Sequence, residues 1–460
     1  MTLNVVIMAA GKGTRMKSAL PKVLHKLAGR SLLQHVLDAA APVQAARTVV
    51  ISGHGADAVE AAAAPSGALF ARQMPQLGTG HAVQQAVPLL LDDDSEPCNI
   101  TLILNGDVPL IQTQTLHELV ATCAGTHLAL LTIELPDATG YGRIVRSGAQ
   151  VQAIVEDKDA SPAQRAIREI YTGILAAPTA ALKRWVMALK DDNAQHEFYL
   201  TDIVAMAVAE GLPVRTSTAA NETEVLGVNS PVQLADLERR FQLANAHTLM
   251  QAGVRLADPA RLDVRGALHC ASDVEIDVNC IFEGDVTLAD GVRIGANCIL
   301  RDAHIGAGAV IHPFSHIEGA QVGAGSLIGP FARLRPGAEL GAGVHIGNFV
   351  EVKNSKLGAG AKANHLAYLG DATVGERVNF GAGSITANYD GANKHHTTIG
   401  NDVHVGSNCV LVAPVTLGDG ATIGGGSTVA KNAPAGQLTL ARAKQTTLAG
   451  WVRPKKPGKK

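Results

Sequence analysis

An aliphatic residue recurs at every sixth position through much of the C-terminal half of the chain. Two such runs are Ile399, Val405, Leu411, Leu417, Ile423 and Val429, and Val322, Ile328, Leu334, Leu340, Ile346 and Val352. A period of six fits neither a helix, which repeats every ~3.6 residues, nor a strand, which alternates. It is typical of a hexapeptide solenoid, in which each hexad supplies a short strand, an inward aliphatic side chain and a small-residue corner. Because no hexad buries its apolar residue alone, the hexads must stack, and this half is predicted to be a parallel β-helix.

The composition suits a solenoid with small corners. Glycine occurs 48 times and aromatic residues make up 3% of the 460 residues, while the hydrophobic content of 47% is that of a globular protein. The formal net charge of −2 lacks the positive excess that is typical of nucleic-acid-binding proteins, so nucleic acid is not an expected partner. The one basic run, 455–460, is predicted to be a solvated tail rather than a binding patch.

The cysteines and the N-terminus predict the compartment. None of the six cysteines, Cys98, Cys123, Cys270, Cys280, Cys298 and Cys409, forms a C-x-x-C pair. The N-terminus runs into a strand pattern rather than a signal peptide, and no apolar stretch is long enough to span a membrane. We therefore expect a cytoplasmic chain with reduced, packed thiols and no membrane partner.

Residues 1–229 alternate strand and helix signals. The predicted buried strands are Val5–Met8, Thr48–Ile51 and Thr101–Leu104, and two of the predicted amphipathic helices are 32–40 and 82–91. This alternation predicts a doubly wound α/β domain with a mostly parallel sheet. Its ligands are expected beyond the C-terminal ends of the strands.

A linker helix is predicted to follow. Ser230 offers a helix N-cap, Pro231 a favourable first helical residue and Gly253 a C-terminal stop, so the helix is expected over 230–252. The β-helix domain is then predicted over 253–437 and a C-terminal tail over 438–460.

The first strand ends in a glycine-rich turn, Gly11-Lys12-Gly13-Thr14-Arg15. Small residues at such a turn let backbone N–H groups approach a phosphate, and Lys12 and Arg15 add positive charge. The turn is not a Walker A loop, because Gly13 stands where serine or threonine would follow the lysine, and it lacks the third glycine of the dinucleotide fingerprint. Alone, it is also compatible with an ordinary structural turn.

Three later motifs favour a phosphate site. Lys22 lies in Leu-Pro-Lys-Val-Leu, Gly78-Thr79 in Gln-Leu-Gly-Thr-Gly and Asp107 in Asn-Gly-Asp-Val-Pro-Leu. Asp107 directly follows a buried strand, where a carboxylate can hold Mg²⁺ against phosphates, although a turn residue or helix N-cap is the alternative. The combination favours the metal interpretation.

Together with Gly227-Val-Asn229, these motifs resemble those of the sugar-nucleotide pyrophosphorylases. Joined to a hexapeptide solenoid, the chain resembles, over nearly its whole length, the bacterial bifunctional UDP-N-acetylglucosamine pyrophosphorylases / glucosamine-1-phosphate N-acetyltransferases. The resemblance implies an α/β nucleotidyltransferase domain followed by a left-handed parallel β-helix. It implies that acetyl-CoA acetylates glucosamine 1-phosphate, and that UMP then passes from UTP to N-acetylglucosamine 1-phosphate. The products would be pyrophosphate and UDP-N-acetylglucosamine for cell-envelope precursors.

The resemblance also implies the residues of the first site. It places the nucleotide and sugar at Met8, Ala9, Ala10, Gly11, Lys22, Gln73, Gly78, Thr79, Asn105, Gly106, Asp107, Gly142, Glu156, Tyr171 and Asn229. It assigns Mg²⁺ to Asp107 and Asn229, and catalytic neutralisation of phosphate charge to Lys22 and Arg15. Tyr171 departs from the family pattern, which often has asparagine at this position of Glu-Ile-x-Thr-Gly.

Counting hexads indicates a second site independently of any resemblance. If three hexads form one coil, residues 18 apart stack about 4.8 Å from one another, which brings together Arg335 and Lys353. Two stacked cations are unfavourable unless an anion lies beside them, so this pair favours an anion site. The alternative interpretation is a solvated arginine and lysine on a neutral surface. Tyr389, Ser407 and Gly425 are also 18 apart and are expected to stack, unless the loop after Tyr389 disturbs the register.

Two interruptions of the hexads are expected, at 365–371 and 388–396, and insertions of this kind often mark a binding face. His365 lies at the first, with Tyr368, Lys353 and the second loop as expected neighbours. The resemblance makes His365 the general base that takes a proton from the amine of glucosamine 1-phosphate. It places the sugar phosphate at Arg335, Lys353, Tyr368 and Asn379, and acetyl-CoA at Ala382, Asn388, Tyr389, Ser407, Gly425 and Arg442. It further implies a homotrimer with acetyltransferase sites at subunit boundaries.

Two other functions stay open at this point. One is a single-function sugar-phosphate nucleotidyltransferase whose β-helix is only an oligomerisation scaffold. His365 and the Arg335–Lys353 pair argue against it. The other is a non-catalytic protein that binds a sugar nucleotide.

Overall fold

A computed structural model describes residues 2–92 and 98–456. The last four residues of the predicted basic tail, 457–460, lie outside the described residues. The chain divides into two compact units with the boundary between Phe241 and Gln242. In the described part, no helix has the length and apolar character needed to cross a membrane.

The first unit is built on a mixed β-sheet. Its main strands, in spatial order, are Val214–Thr218, Leu128–Glu134, Glu169–Pro178, Asn99–Asn105, Thr2–Met8, Arg47–Ser52 and Leu69–Arg72. The hairpin Gly142–Ser147 and Gln150–Val155 pairs with Glu169–Pro178, which runs antiparallel to its neighbours. The three strands predicted from the sequence are confirmed as the parallel centre of the sheet.

Helices cover both faces of this sheet. Along Thr2–Met8, Val5 and Ile7 enter one apolar core and Val6 the other, because successive side chains of a strand point to opposite faces. Helices Leu32–Ala40, Ala56–Ala63 and Thr113–Cys123 contribute to the first core, and Thr79–Ala86, Thr179–Met187 and Ile203–Ala209 to the second. Short helices Pro162–Arg165 and Glu222–Val225 and the strand pair Lys26–Leu27 and Arg30–Ser31 complete the unit. The doubly wound prediction is confirmed.

The two helices predicted from the apolar pattern differ in how closely their bounds agree. The first has the predicted bounds, 32–40. The second, predicted over 82–91, begins earlier as Thr79–Ala86 and ends as the 3₁₀ turn Val87–Leu89. The change of helix type coincides with Pro88, which has no backbone N–H to continue an α-helix.

Helix Pro231–Gln251 crosses the boundary between the units. Ser230 Oγ accepts a hydrogen bond from Gln233 N at 3.3 Å, and Gly253 follows the helix with a φ of +100°, which glycine adopts readily. Leu237 belongs to a small core of the first unit and Ala246 to the core of the second.

The second unit is a parallel β-helix with three faces, in which one coil contributes a strand to each. Face one consists of Arg255–Leu256, Glu275–Ile276, Arg293–Ile294, Val310–Ile311, Leu327–Ile328, His345–Asn348, Lys362–His365, Asn379–Phe380, His404–Val405, Thr422–Ile423 and Leu438–Thr439. Face two includes His316–Glu318, Arg333–Leu334, Glu351–Lys353, Tyr368–Gly370, Ile385–Ala387, Val410–Val412 and Thr428–Val429. Face three includes Gln321–Val322, Ala338–Leu340, Ser355–Leu357, Ala372–Val374, Thr397–Ile399 and Val415–Leu417. Strands Leu262–Cys270, Cys280–Leu288 and Ile299–Ile305 bend from face two into face three.

The inward positions of the hexads form one continuous core. Both aliphatic runs quoted from the sequence are buried in it. The glycines that follow these residues allow adjacent coils to approach closely: a Cβ added at Gly306 would lie 2.7 Å from Ala324 N. Burial raises the pKa of the Cys280 thiol to about 12, which favours its neutral form. All six cysteines of the chain lie within the described residues and are free thiols.

The coils are not uniform in length, and this corrects two predictions. The register steps by 18 residues from Arg333 to Glu351 but by 17 from Glu351 to Tyr368. The stretch 365–371 contains no inserted loop, so the first predicted interruption is not an insertion. The coil continues there through Lys362–His365 and Tyr368–Gly370 with the small Ala363 inward, and the period of six breaks because Leu369 and Val374, five residues apart, take successive inward positions.

The loop 388–396 is a true insertion. It lengthens its coil, so that Ile385 pairs with Val410, 25 residues later. The predicted stacking of Tyr389 on Ser407 is therefore wrong. Asn379 pairs with His404, which aligns Ala382 with Ser407, and the next step of 18 aligns Ser407 with Gly425 as predicted.

Candidate active sites

Two strand ends and the turn after each form the centre of the first site. Thr2–Met8 and Asn99–Asn105 are parallel neighbours, so the glycine-rich turn and the Asn-Gly-Asp turn leave the sheet at the same edge. Gly106 N donates to Met8 O at 2.9 Å, which holds the two turns together. Asp107 O in turn accepts from Val228 N at 2.9 Å, so that Asn229 lies beside Asp107.

Two adjoining cavities contain nearly all residues predicted for this site. Their volumes are about 260 and 320 Å³, and they share Met8, Thr79, Asn105 and Asp107. The smaller is also lined by Ala9, Ala10, Gly11, Lys22, Gln73 and Gly78, and the larger by Arg15, Gly142, Glu156, Tyr171 and Asn229. Gly106 lines neither cavity, and its contribution is the backbone hydrogen bond to Met8 O that holds the two turns together. The predicted nucleotide and sugar residues thus separate into two compartments that meet at Asp107.

The smaller compartment has rigid walls. Gln73 is 3% exposed, and its Nε2 donates to Gly78 O at 2.9 Å. Gly78 has a φ of +109°, and a Cβ there would lie 2.6 Å from Phe198 O, so glycine is required on both counts. Thr79 Oγ1 accepts from Leu200 N at 3.0 Å. A planar ring would therefore meet a fixed edge of polar groups here.

The ammonium group of Lys22 contacts both oxygens that were assigned to the metal, one from a carboxylate and one from a side-chain amide. Lys22 Nζ forms an ion pair with Asp107 Oδ2 and donates to Asn229 Oδ1 at 3.0 Å. Both partners of the ion pair are largely shielded, with side-chain exposures of 14% and 20%. The two oxygens therefore converge on one cationic position, although they are distant in sequence.

These oxygens fit Mg²⁺, which prefers oxygen ligands and usually keeps several of them from water or phosphate. Among the described residues there is no group of three or more histidine, cysteine or carboxylate side chains that could hold a metal ion. A metal at Asp107 and Asn229 would thus depend on substrate oxygens for the rest of its coordination.

The larger compartment carries two buried polar groups. Tyr171 is 7% exposed, and none of the described residues forms a hydrogen bond with its Oη. Burial first, and the nearby Glu156 second, raise the pKa of this phenol, which keeps it neutral as a donor. Glu156 Oε1 accepts from Thr201 Oγ1 at 3.0 Å, and burial raises the pKa of this carboxyl. Such groups suit the hydroxyls of a sugar.

Sequence reasoning missed several residues that line these cavities. They include Gln76, Thr139, Tyr141, Glu197 and Thr201. Gln76 begins the Gln-Leu-Gly-Thr-Gly motif but was not assigned a role. The other four lie in no motif, because each reaches the cavity from a loop or turn whose position depends on tertiary packing.

On face two, a column of charged residues alternates in sign and then stops alternating. In order along the coils its members are Arg265, Glu283, Arg301, Glu318, Arg335 and Lys353. Arg265 Nη1 lies 3.1 Å from Glu283 Oε1, and Arg301 Nη1 lies 3.5 Å from Glu318 Oε1. The predicted stacking of Arg335 and Lys353 agrees with this register, and it places two cations in succession. Arg335 Nη1 donates sideways to Glu351 Oε1 at 2.8 Å.

Lys353 has a second cationic neighbour that the sequence did not indicate. The Lys394 ammonium, from the inserted loop, is the main cause of a lowered pKa of Lys353, to which Arg335 also contributes and which Asp371 opposes. Tyr368 lies nearby, with its Oη against Gly370, the residue that pairs with Lys353. Three cations and a phenol therefore converge at the corner between faces two and three.

His365 lies at a different corner, between faces one and two. It forms a column with Asn348, Ala382, Ser407 and Gly425 on successive coils. His365 is exposed, and its Nδ1 lies 3.0 Å from Asn348 Oδ1. The structure thus brings the predicted base together with three residues assigned to acetyl-CoA. Lys353 and the inserted loop were expected beside His365, but they lie at the other edge of face two. A three-residue strand spans this face, which separates the two edges by roughly 10 Å.

Two further acetyl-transfer residues occupy separate positions. Arg442 Nη1 donates to Gly425 O at 2.6 Å, which adds it to the His365 column. Asn379 lies at the opposite edge of face one, where its Nδ2 is 3.2 Å from His404 Nδ1. Within one chain, therefore, Asn379 does not join the other residues predicted for the sugar phosphate.

Comparison with known proteins gives matches over the whole chain. Residues 5–139 match the model of the MobA-like NTP transferase domain, and residues 302–335, 319–354 and 396–431 match that of the bacterial transferase hexapeptide. The chain is 71% identical over 462 residues to the bifunctional protein GlmU of Methylibium petroleiphilum, which covers 99% of both chains. It is 66% identical to that of Albidiferax ferrireducens, over 99% of this chain and 100% of the other, and 58% identical to that of Bordetella parapertussis, over 99% of both. A solved CMP:2-keto-3-deoxy-manno-octonic acid synthetase in complex with CTP is 20% identical and covers 52% of this chain and 98% of its own, with a TM-score of 0.41.

Proposed function

The chain belongs to the bifunctional GlmU family, and from that membership we propose which of its residues carry each of two reactions. It is an enzyme with an acetyltransferase and a uridylyltransferase activity. We assign uridylyl transfer to the α/β unit, residues 1–229, and acetyl transfer to the β-helix, residues 253–437, with the helix at 230–252 as linker. The left-handed winding of the β-helix stays a prediction.

In uridylyl transfer, the phosphate of N-acetylglucosamine 1-phosphate attacks the α-phosphate of UTP and expels pyrophosphate. UTP occupies the compartment of Gly11, Gln73 and Gly78, and the sugar occupies that of Glu156 and Tyr171. Lys22 and Arg15 neutralise the charge of the phosphates where the compartments meet. No covalent intermediate is required, so most of the rate enhancement comes from positioning the two anions.

Asp107 and Asn229 are proposed to hold Mg²⁺, which supplies further neutralisation of the phosphates when bound. The support is the convergence of their oxygens on one cationic position, now filled by the Lys22 ammonium. Metal entry therefore requires Lys22 to leave at least one of these oxygens, and a phosphate is its natural new partner.

In acetyl transfer, the amine of glucosamine 1-phosphate attacks the thioester of acetyl-CoA and releases CoA. His365 removes the proton of the amine, and Asn348 Oδ1 fixes the tautomer that leaves Nε2 free to accept it. Ala382, Ser407, Gly425 and Arg442 hold acetyl-CoA along the His365 column. Asn388 and Tyr389 close the site.

The single observation that carries the acetyl-transfer assignment is the break in the charge column at Arg335 and Lys353. Stacked like charges are unfavourable, and here the inserted loop adds a third cation, Lys394, beside them. A phosphate supplies the missing negative charge. We therefore place the phosphate of glucosamine 1-phosphate at Arg335, Lys353 and Lys394, with Tyr368 beside it.

We further propose that a homotrimer completes this site. His365 and the cation cluster lie at different corners of one chain, so a second copy is needed to bring a base from one chain to a phosphate held by another. An exposed aromatic ridge supports such packing at the His365 corner. Phe314, Phe331 and Phe349 are 53%, 46% and 56% exposed, and their rings stack at 5.0 and 5.3 Å.

A two-readout assay tests the assignment. Purified enzyme receives glucosamine 1-phosphate, acetyl-CoA, UTP and Mg²⁺, and CoA and pyrophosphate are measured separately. We expect CoA release without UTP, and pyrophosphate release from glucosamine 1-phosphate only when acetyl-CoA is present. Pyrophosphate release with N-acetylglucosamine 1-phosphate but no CoA release would leave only the scaffold role for the β-helix.

The trimer has its own test. Phe331→Asp places a charge in the ridge without touching either set of site residues. We expect light scattering to report monomers in place of trimers, CoA release to fall at least about 100-fold because the site is divided, and pyrophosphate release to persist. A trimeric variant with normal acetylation contradicts the proposal.

Finally, we place the enzyme in the cytoplasm. The six free thiols support this, because reduced cysteines are typical of that compartment.

A further inference from the structure

A buried carboxylate that no motif indicated lies beneath the proposed acetyl-transfer site. Asp371 is 7% exposed and lies at the corner between faces two and three with a φ of +49°. Its Oδ1 accepts from Asn354 Nδ2 at 2.6 Å, and its Oδ2 accepts from Asn388 Nδ2. A carboxylate is acceptor-only, so each oxygen matches one amide donor.

Both ends of the inserted loop attach to this one residue. The loop 388–396 begins at Asn388, whose side chain bonds the Asp371 carboxylate. It ends before Thr397, whose backbone N donates to Asp371 O at 3.1 Å. Asn388 is itself only 8% exposed, so this attachment is shielded from water.

Within the loop, the chain is fixed by its own bonds. Asp390 Oδ1 accepts from Ala392 N at 2.8 Å and Asn393 N at 2.6 Å, and His395 Nε2 lies 2.7 Å from Asp390 Oδ2. A loop that is rigid internally moves as a unit about its two ends. The residue that holds both ends therefore sets where Tyr389 and Lys394 stand.

We propose that Asp371 is a positioning residue for acetyl transfer, which holds the loop 388–396 against the β-helix so that Asn388 and Tyr389 close over acetyl-CoA. The inference rests on the proposed function of this loop. Asp371 also offsets the charge of Lys353 and Lys394. Burial raises the pKa of its carboxyl, but the two amide hydrogen bonds and then the two ammonium groups outweigh burial and hold this pKa below the usual range. It does not itself touch a reacting atom.

The test is Asp371→Asn. Asparagine tolerates the left-handed backbone of this corner, so the substitution adds no backbone strain. Its amide has a single acceptor oxygen, so one of the two donors, Asn354 or Asn388, must face another donor. We expect the KM for acetyl-CoA to rise about tenfold, the effect of losing one charge-assisted hydrogen bond. The KM for glucosamine 1-phosphate should rise less than that for acetyl-CoA, because the displacement of Lys394 is offset by the loss of the carboxylate that competes for the cation cluster.

Two variants separate positioning from a general loss of structure. Asp302→Asn is the matched control, since Asp302 also has a positive φ, +45°, at the same corner and accepts a backbone hydrogen bond, from Asp285 N at 3.0 Å. It should leave both KM values unchanged. The exchange Asp371→Asn with Asn354→Asp restores one acceptor to each donor, leaves the acetyl-CoA residue Asn388 intact, and should recover at least half of the lost affinity for acetyl-CoA.

A second measurement reports the loop directly. Lys394 is an exposed tryptic site within it, and cleavage there should be at least about fivefold faster in Asp371→Asn than in the wild type or Asp302→Asn. The inference is overturned if Asp371→Asn leaves the KM for acetyl-CoA unchanged or raises the KM of both substrates equally. It is also overturned if the exchange variant binds acetyl-CoA no better than Asp371→Asn, or if tryptic cleavage at Lys394 is unchanged in Asp371→Asn. A wild-type circular dichroism spectrum and melting curve show that the β-helix of each variant is folded, because pyrophosphate release reports only on the other unit. A wild type that releases no CoA counts against the proposed function instead.

Discussion

Arg335 and Lys353 occupy successive coils of face two at the point where a column of alternating charge ends. Every earlier step of that column joins opposite signs, from Arg265 to Glu283 and onward. The like-charged step lies beside the inserted loop rather than on the free surface. This contrast indicates an anion site, because the step from Arg335 to Lys353 joins two positive charges and the earlier steps of the column do not.

Removal of one cation from this cluster should weaken the binding of glucosamine 1-phosphate but not that of acetyl-CoA. For Lys353→Met we expect the KM for glucosamine 1-phosphate to rise about 10–100-fold, since a charge-assisted contact to a phosphate is lost. The KM for acetyl-CoA should change less than threefold. Arg265→Met is the control, because it removes a paired cation from the same column. Equal effects of the two substitutions on initial CoA release would contradict the phosphate assignment.

His365 should be required for acetyl transfer only. For His365→Ala we expect CoA release to fall about 10²–10⁴-fold, the usual contribution of a general base, while pyrophosphate release from UTP and N-acetylglucosamine 1-phosphate persists. Asn348→Ala should cost less, because it removes the group that orients the imidazole and leaves the imidazole in place. Unchanged acetylation in His365→Ala would remove this residue from the mechanism.

The oxygens of Asp107 and Asn229 should determine the response to Mg²⁺. For Asp107→Asn we expect pyrophosphate release to fall at least about 100-fold and to need more Mg²⁺ for its maximum, because a neutral amide binds a hard cation less well than a carboxylate. Acetyl transfer in the same variant should be normal. Asp57→Asn, at an exposed aspartate paired with Arg72, serves as the control. A wild-type Mg²⁺ titration curve for Asp107→Asn would exclude Asp107 as a metal ligand.

The parts of the fold that sequence predicted are those in which burial repeats locally. Val5–Met8 is a continuous apolar run because both faces of its strand are covered, and the aliphatic residues of the hexads are buried at a spacing of six. The run reports the sheet and the period reports the β-helix. Stacking of Arg335 on Lys353 followed from the same period. The step from Leu369 to Val374 shows the limit, because a spacing of five breaks the period without interrupting the coil.

The parts that sequence could not predict depend on one inserted loop and on distant turns. The loop 388–396 changes the local register step to 25 residues, which moves Ser407 away from Tyr389 and onto Ala382. Lys394 and Asp371 meet only because of that loop, and no short motif contains both. The resemblance named the residues of acetyl transfer, but the division of His365 and Lys353 between two corners follows only from the three-dimensional structure.

Because adjacent coils pack closely, one methyl group added at a corner glycine should lower the stability of the β-helix. In Gly306→Ala the new Cβ would lie 2.7 Å from Ala324 N and 2.9 Å from Val322 O, both of them backbone atoms. We expect the free energy of unfolding to fall by about 1–3 kcal/mol, the range for overpacked sites, in urea denaturation followed by circular dichroism. Gly425→Ala is the control, because its Cβ would lie 3.3 Å from the nearest atom, Ser407 O. Equal destabilisation by the two would contradict this account of the glycines.

The charge column should contribute stability that depends on pH. Glu283 lies between Arg265 and Arg301, and the hydrogen bond from Arg301 is the main cause of its lowered pKa. A carboxyl with a lowered pKa in the folded state stabilises the protein above its unfolded pKa of about 4.3, and this contribution is lost as the pH falls through the folded value. Glu283→Gln should therefore lower the free energy of unfolding at pH 7 by about 1 kcal/mol and have little effect at about pH 2. Glu339→Gln, which breaks the more exposed pair with Lys356, should change neither value measurably. The same loss for Glu283→Gln at both pH values would show that packing rather than charge stabilises the column.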